Sequence, residues 1–185
     1  MPGQSQKDQI KEAVTILKEG GIVIFPTDTV YGIGCCFDNQ RAVGRIYQIK
    51  NTPKTQPFPV LVSTTDQLRQ YAQVTKQAEN LIKKYWPGAL TIVLRSKKSK
   101  GKIGFRMPDS ALIKSIIDGV GEPIIGTSAN SHGSAAPKSY EELDSDFMKL
   151  ADFVVKGVCE GKIASTVVDV TIDPPKILRQ GAIKL

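Results

Sequence analysis

Apolar residues change their spacing repeatedly along the chain, and each change marks an element. Ile10, Ala13, Val14, Ile16 and Leu17 recur at three- and four-residue intervals, which predicts a helix that Gly20-Gly21 stops. Residues 22–25 are an unbroken apolar run ending at Pro26, the signature of a short buried strand, and 31–37 read as a second strand. Asn39 is a cap residue ahead of Ala42, Val43, Ile46, Tyr47 and Ile49, again at helical spacing. A polar, proline-bearing loop spans 50–59, residues 60–62 read as a strand, and helical stretches follow near 67–71 and 76–85. Trp86-Pro87-Gly88 breaks the second of these. Residues 90–94 and 103–107 flank a lysine-rich turn as a hairpin, 111–117 read as a helix, and 123–126 as a buried strand entering Thr127-Ser128-Ala129-Asn130. Ser139 with Glu142 three positions on has the form of a capping box and predicts a short helix. Residues 153–155, 166–170 and 176–178 read as closing strands. Helices and strands alternate in part and elsewhere cluster as hairpins, so the expected fold is α/β, a single domain over residues 1–185 built on a mixed sheet.

Composition narrows the setting. A chain of 185 residues can bury one sizeable core, and 41% apolar with 23% charged residues is ordinary for a soluble domain. No apolar run approaches the roughly 18–20 residues that cross a bilayer. The start of the chain, Met1 to Asp8, lacks the apolar stretch of a signal peptide, so a cytoplasmic protein with no membrane association is expected. Cys35 and Cys36 are adjacent and would point to opposite faces of a strand, while Cys159 is alone; reduced thiols are expected. With a single histidine, His132, in a Ser/Gly loop and no Cys-x-x-Cys, no metal-ligating set is predicted. The net charge of +7 favours partners carrying phosphate, whether nucleotide, RNA or a membrane surface. Lys97, Lys98, Lys100 and Lys102 form the dense basic run, readable as a solvated hairpin tip or an RNA-facing surface.

The usual phosphate loops are missing. Gly157 to Ile163 has three residues between its glycines where a P-loop needs four, and Ile163 where a hydroxyl must meet Mg²⁺. Gly32-Ile33-Gly34 lacks the third glycine of a dinucleotide fingerprint, and no Gly-x-Ser-x-Gly elbow occurs. What remains is hydroxyls, amides and a few cations after apolar runs, where an α/β sheet places its ligand crevice. Such groups suit a reaction driven by alignment and charge stabilisation. Each segment alone also reads as a turn satisfying its own backbone.

Together, five of these segments resemble one family. Pro26-Thr-Asp-Thr-Val-Tyr-Gly32, Trp86-Pro-Gly88, Arg106-Met-Pro108, Thr127-Ser-Ala-Asn130, and Ser165-Thr-Val-Val-Asp169 with Leu178-Arg-Gln-Gly181 occur in the order of the YrdC-type L-threonylcarbamoyladenylate synthases, and the likeness runs from about Ala13 to Ile183. That resemblance implies a twisted mixed sheet with a basic concave face. It also implies a reaction in which L-threonine, bicarbonate or CO₂ and ATP give L-threonylcarbamoyl-AMP and pyrophosphate. A threonylcarbamoyl-transferase complex would then pass the group to tRNA. The family's Lys-x-Arg and Ser-x-Asn pairs carry over as Lys50-x-Thr52 and Ser128-x-Asn130, so a neutral hydroxyl stands where the family has an arginine fork. By the same resemblance Lys50 is the catalytic charge, with Lys50, Thr52, Ser128, Asn130 and Arg179 on ATP. Thr29, Tyr31, Arg106, Thr127 and Ser165 would enclose threonine and its carbamate. Mg²⁺ is expected to be held through the ATP phosphates. Two other readings share the fold: an RNA-binding protein without adenylate synthesis, and a carbamoyl-adenylate domain of the hydrogenase-maturation kind. The chain is also expected to comprise the catalytic domain alone.

Overall fold

Side-chain caps open the helices where the polar residues allow it. The computed structural model describes residues 4–185; the first three residues of the N-terminal stretch read above lie outside them. Helix α1 (Gln6–Lys18) leads into β1 (Val23–Phe25), β2 (Gly32–Gly34), α2 (Gln40–Lys50) and β3 (Val60–Leu61). Next come α3 (Thr65–Tyr71), β4 (Ala72–Gln73), α4 (Lys76–Tyr85) and the hairpin β5 (Leu90–Ser96) with β6 (Lys102–Arg106). Helix α5 (Ala111–Val120) precedes β7 (Ile124–Ile125) and β8 (Thr127–Ser128), and α6 (Ser145–Met148), β9 (Phe153–Val154), β10 (Thr166–Asp169) and β11 (Lys176–Arg179) follow. Ser5, Asn39, Thr64, Thr75 and Ser110 each accept an N–H three residues on, at the starts of α1 to α5. The Ser139–Glu142 box opens no helix. Glu142 instead accepts the Lys138 N–H at 2.8 Å, and Asp144, which takes the Phe147 N–H at 2.7 Å, opens α6.

The strands form two mixed sheets. The smaller has the order β8-β2-β1-β9, with β9 parallel to β1 and the other pairs antiparallel. The larger runs β11-β10-β5-β6-β3-β7, with β4 also on β5; its β10–β5 and β3–β6 pairs are parallel. The division falls at Gly126: β7 before it pairs with β3, and β8 after it pairs with β2. A Cβ on Gly126 would stand 2.4 Å from Leu61 Cδ1, so any other residue would displace Leu61 where the chain passes between the sheets. The two are nonetheless joined, because Cys35 O accepts the Ile125 N–H at 2.8 Å and Cys36 bridges Ile124.

Burial on both faces explains the unbroken apolar run of β1. Ile22 and Ile24 enter a core with Ile33, Val60, Ile92 and Phe105, while Val23 and Phe25 face a second core with Leu17 of α1 and Ile113, Ile116 and Ile117 of α5. Cys35 and Cys36 divide between the same two cores, both as free thiols that burial pushes up to about 12.

Candidate active site

The ends of strands from both sheets converge on one cavity of about 220 Å³. Eight of the ten residues singled out from the sequence line it: Thr29, Tyr31, Arg106, Thr127, Ser128, Asn130, Ser165 and Arg179. Their side of the cavity is polar, whereas Phe25, Pro59 and Leu61 supply apolar wall. A volume below the roughly 300–1,000 Å³ of drug-sized sites suits a small, polar ligand at the deep end.

Arg106, at the end of β6, is held at three of its nitrogens. Its Nε donates to Gly88 O at 3.0 Å, Nη1 to Thr29 Oγ1 at 2.9 Å and Nη2 to Asp28 Oδ1 at 2.6 Å. Burial pushes the guanidinium below its ordinary range, and the Asp28 charge pulls it back. The Trp86-Pro87-Gly88 turn therefore contributes through a carbonyl, not through a side chain. Thr27 donates its hydroxyl proton to Val30 O at 2.7 Å and accepts the Thr29 and Val30 N–H groups at 3.1 and 3.3 Å, with its oxygen 3.0 Å from Thr29 Oγ1. Arg106 takes one Thr29 lone pair, which leaves the hydroxyl an acceptor position for a ligand.

Arg179, at the end of β11, supplies a second guanidinium. It donates through Nε and Nη2 to Ser165 O, at 3.1 and 2.9 Å, and through Nη2 to Ser165 Oγ at 3.1 Å. It makes no salt bridge with any described residue. Burial and the nearby Arg106 charge both push it below its ordinary range. Arg106 is thus neutralised from behind while Arg179 is not, which makes the cavity attractive to an anion.

Lys50 and Thr52 stand apart from the cavity lining. Lys50 is the last residue of α2, and Asn51 follows in the left-handed conformation (φ 49°) that turns the chain out of the helix. Lys50 is only 5% exposed, and its ammonium donates to Ser128 O and Asn130 O, both at 2.6 Å. In return Lys50 O accepts the His132 N–H at 2.8 Å, while the imidazole itself lies in an exposed turn. Lys50 therefore fastens the Ser128-x-Asn130 segment to α2 from behind. Thr52 is half-buried, with its hydroxyl 3.5 Å from Lys50 O, and Lys54 is exposed.

Tyr31 is also engaged. Its hydroxyl donates to Gly157 O at 2.8 Å and accepts the Gly157 N–H at 3.0 Å, so this cavity-lining residue pins the start of the 157–164 loop. Burial pushes this phenol up to about 12. Sequence reasoning did not assign Asp28, Thr27 or Thr91, which bonds Ser165 Oγ at 2.9 Å. Asp28 and Thr27 lie inside the quoted Pro-Thr-Asp-Thr motif, and that was their available signal.

Fold and site define an α/β protein with one cationic, hydroxyl-lined cavity between two sheets. The Sua5/YciO/YrdC family model, described as "Telomere recombination", matches residues 15–181, and the chain belongs to that family. YciO of Escherichia coli is 30% identical over 190 residues, covering 97% of this chain and 92% of its own; its crystal structure superposes with a TM-score of 0.85 at 28% identity, over 97% and 91%. A putative threonylcarbamoyl-AMP synthase of Methanocaldococcus jannaschii is 33% identical over 192 residues, 97% of this chain and 90% of its own. Sua5 of Pyrococcus abyssi, solved in complex with L-threonine, has a TM-score of 0.89 at 31% identity, covering 97% of this chain and 55% of that one.

Proposed function

We propose that this chain is a threonylcarbamoyl-AMP synthase. The observation that carries the reading is the pair of guanidiniums in one cavity, Arg106 and Arg179, with Thr29 presenting an acceptor beside them. An amino acid carboxylate suits the two remaining N–H groups of Arg106, and its amine or side-chain hydroxyl can donate to Thr29 Oγ1. The relatives named threonylcarbamoyl-AMP synthase, and the Sua5 complex with threonine, support L-threonine as that amino acid.

The chemistry asks for alignment more than for a base. The threonine amine, having lost a proton, attacks CO₂ derived from bicarbonate and gives up a second proton to solvent as the N–C bond forms, which yields a carbamate. A carbamate oxygen then attacks the α-phosphorus of ATP, and pyrophosphate leaves with the electron pair of the broken P–O bond. Arg179 would face the developing phosphate charge, with Ser128 and Asn130 along the nucleotide and Lys50 holding their segment in place. No group of three or more potential metal ligands occurs among the described residues; Asp28 is held by Arg106 and Asp169 by Lys102 at 2.7 Å. These residues offer Mg²⁺ no cage, so the ion would travel on the phosphates of ATP. The product would be consumed by a complex acting on tRNA.

A second reading, an RNA-binding protein without adenylate synthesis, draws on the exposed Arg95, Lys97, Lys98 and Lys100 around the β5–β6 turn. One assay separates them. The purified protein with ATP, L-threonine and labelled bicarbonate is expected to release pyrophosphate and a labelled adenylate, both dependent on threonine. RNA binding that weakens with salt, with no adenylate formed, would instead establish the second reading.

A further inference from the structure

We infer that Asp28 is a positioning residue for the amino-acid subsite, acting only by aiming the Arg106 guanidinium. The inference rests on the synthase reading and deepens it. Asp28 and Arg106 side chains are each 8% exposed, and their 2.6 Å bond joins residues 78 apart. Arg106 lines the cavity and Asp28 does not. The carboxylate therefore lies outside the cavity lining, with the guanidinium between the two in the hydrogen-bond chain.

Geometry shows what that contact does. A guanidinium carries five N–H groups in a fixed plane. Gly88 O, Thr29 Oγ1 and Asp28 Oδ1 take one from each nitrogen, leaving one on Nη1 and one on Nη2 for a ligand. Of the three anchors only Asp28 is charged, and only Asp28 fixes the Nη2 side of the plane. Without it the plane can turn about the Nε and Nη1 contacts, and the two free donors lose their common direction toward a carboxylate.

Asp28 is itself held in register. Its carbonyl accepts the Gly161 N–H at 3.0 Å, and a Cβ on Gly161 would lie 2.5 Å from that oxygen. The 157–164 loop, pinned at its start by Tyr31, thus backs the Asp28 segment as Asp28 backs Arg106. This chain of supports ends at the atoms that meet the ligand, and rigid support of that kind sets the precision of a site.

The test uses the full chain with Asp28→Asn, which keeps size and a carbonyl acceptor but removes the charge. Threonine affinity by calorimetry without ATP, and KM for threonine in the pyrophosphate assay, are each expected to weaken by about tenfold. KM for ATP should stay within about twofold of wild type. The double variant Asp28→Asn with Arg106→Lys should bind threonine no more weakly than Arg106→Lys alone, since a residue that acts only through Arg106 has nothing left to aim. Equal loss for ATP and threonine, or additive loss in the double variant, overturns the inference. An active wild type whose Asp28→Asn form is unchanged overturns it and leaves the synthase reading standing. A wild type that binds no threonine overturns both.

Discussion

Lys50 shows how far the identity of a side chain can be from its working geometry. The family resemblance implied a phosphate ligand at this position, yet the ammonium is spent on two backbone carbonyls. Carbonyls have no letter in a sequence, so that engagement was invisible, just as the Asp28–Arg106 pair was hidden by a separation of 78 positions. The burial has a consequence for pH. Desolvation pushes Lys50 down to about 8 from its ordinary 10.5. Stability changes with pH as the protons bound by the unfolded chain minus those bound by the folded one. Between those two values the unfolded lysine holds a proton the folded one lacks, so Lys50 makes stability rise with pH across that window. Cys35, Cys36 and Tyr31 are pushed the other way, each up to about 12, and make stability fall as pH climbs toward it. Comparison with Lys50→Met cancels those shared terms. Urea unfolding at about pH 8 and about pH 10 should give the variant a more negative change in stability than wild type. Parallel pH profiles would mean that Lys50 does not titrate in this range.

Elements were legible where a period had room to repeat. Helices α1, α2, α4 and α5 have ten or more residues and open at polar caps, four of the five caps on α1 to α5 being Ser or Thr. The β5–β6 hairpin was visible for the same reason, as was the burial of β1 on both faces. The equally short β3, β7 and β9 showed as apolar runs, whereas β4, Ala72-Gln73 directly after α3, has none, which is why its pairing with β5 went unread. The split between sheets was hidden too, because it depends on what Gly126 meets in space. Two glycine substitutions test that account. Gly126→Ala would bring Cβ to 2.4 Å from Leu61 Cδ1 and 2.6 Å from Leu61 Cγ, so the Leu61 side chain would have to leave its place on the cavity wall; overpacking of this kind costs about 1–3 kcal/mol. Gly44, inside α2, has nothing within 4 Å of such a Cβ, so Gly44→Ala should gain about 0.5–1 kcal/mol of helix stability. Urea midpoints should therefore move in opposite directions. A tolerated Gly126→Ala would show that the crossing does not need glycine.

The cavity belongs to neither sheet alone. Thr127 and Ser128 reach it from β8, Arg106 from β6 and Arg179 from β11, while Ser165 lies just before β10. Direct backbone pairing between the sheets runs through the Ile125 N–H to Cys35 O and Phe37 N–H to Pro123 O bonds, which flank the Cys36–Ile124 bridge. A ligand seated among these residues adds contacts that span the joint, and anything that binds only the folded state stabilises it, by about 2.7 kcal/mol at a hundred times its Kd. If threonine and ATP share the cavity, that gain should spread to both sheets. Amide hydrogen exchange reads this directly. With both ligands near saturation, Ser128 in the small sheet and Thr166 and Val167 in the large one should slow together, by up to about a hundredfold where exchange proceeds by opening of the joint. Threonine alone should slow the Thr29 and Arg106 region first. Protection confined to one sheet at saturating ligand would mean that the two sheets do not share the ligand, and that the cavity between them is not where the reactants meet.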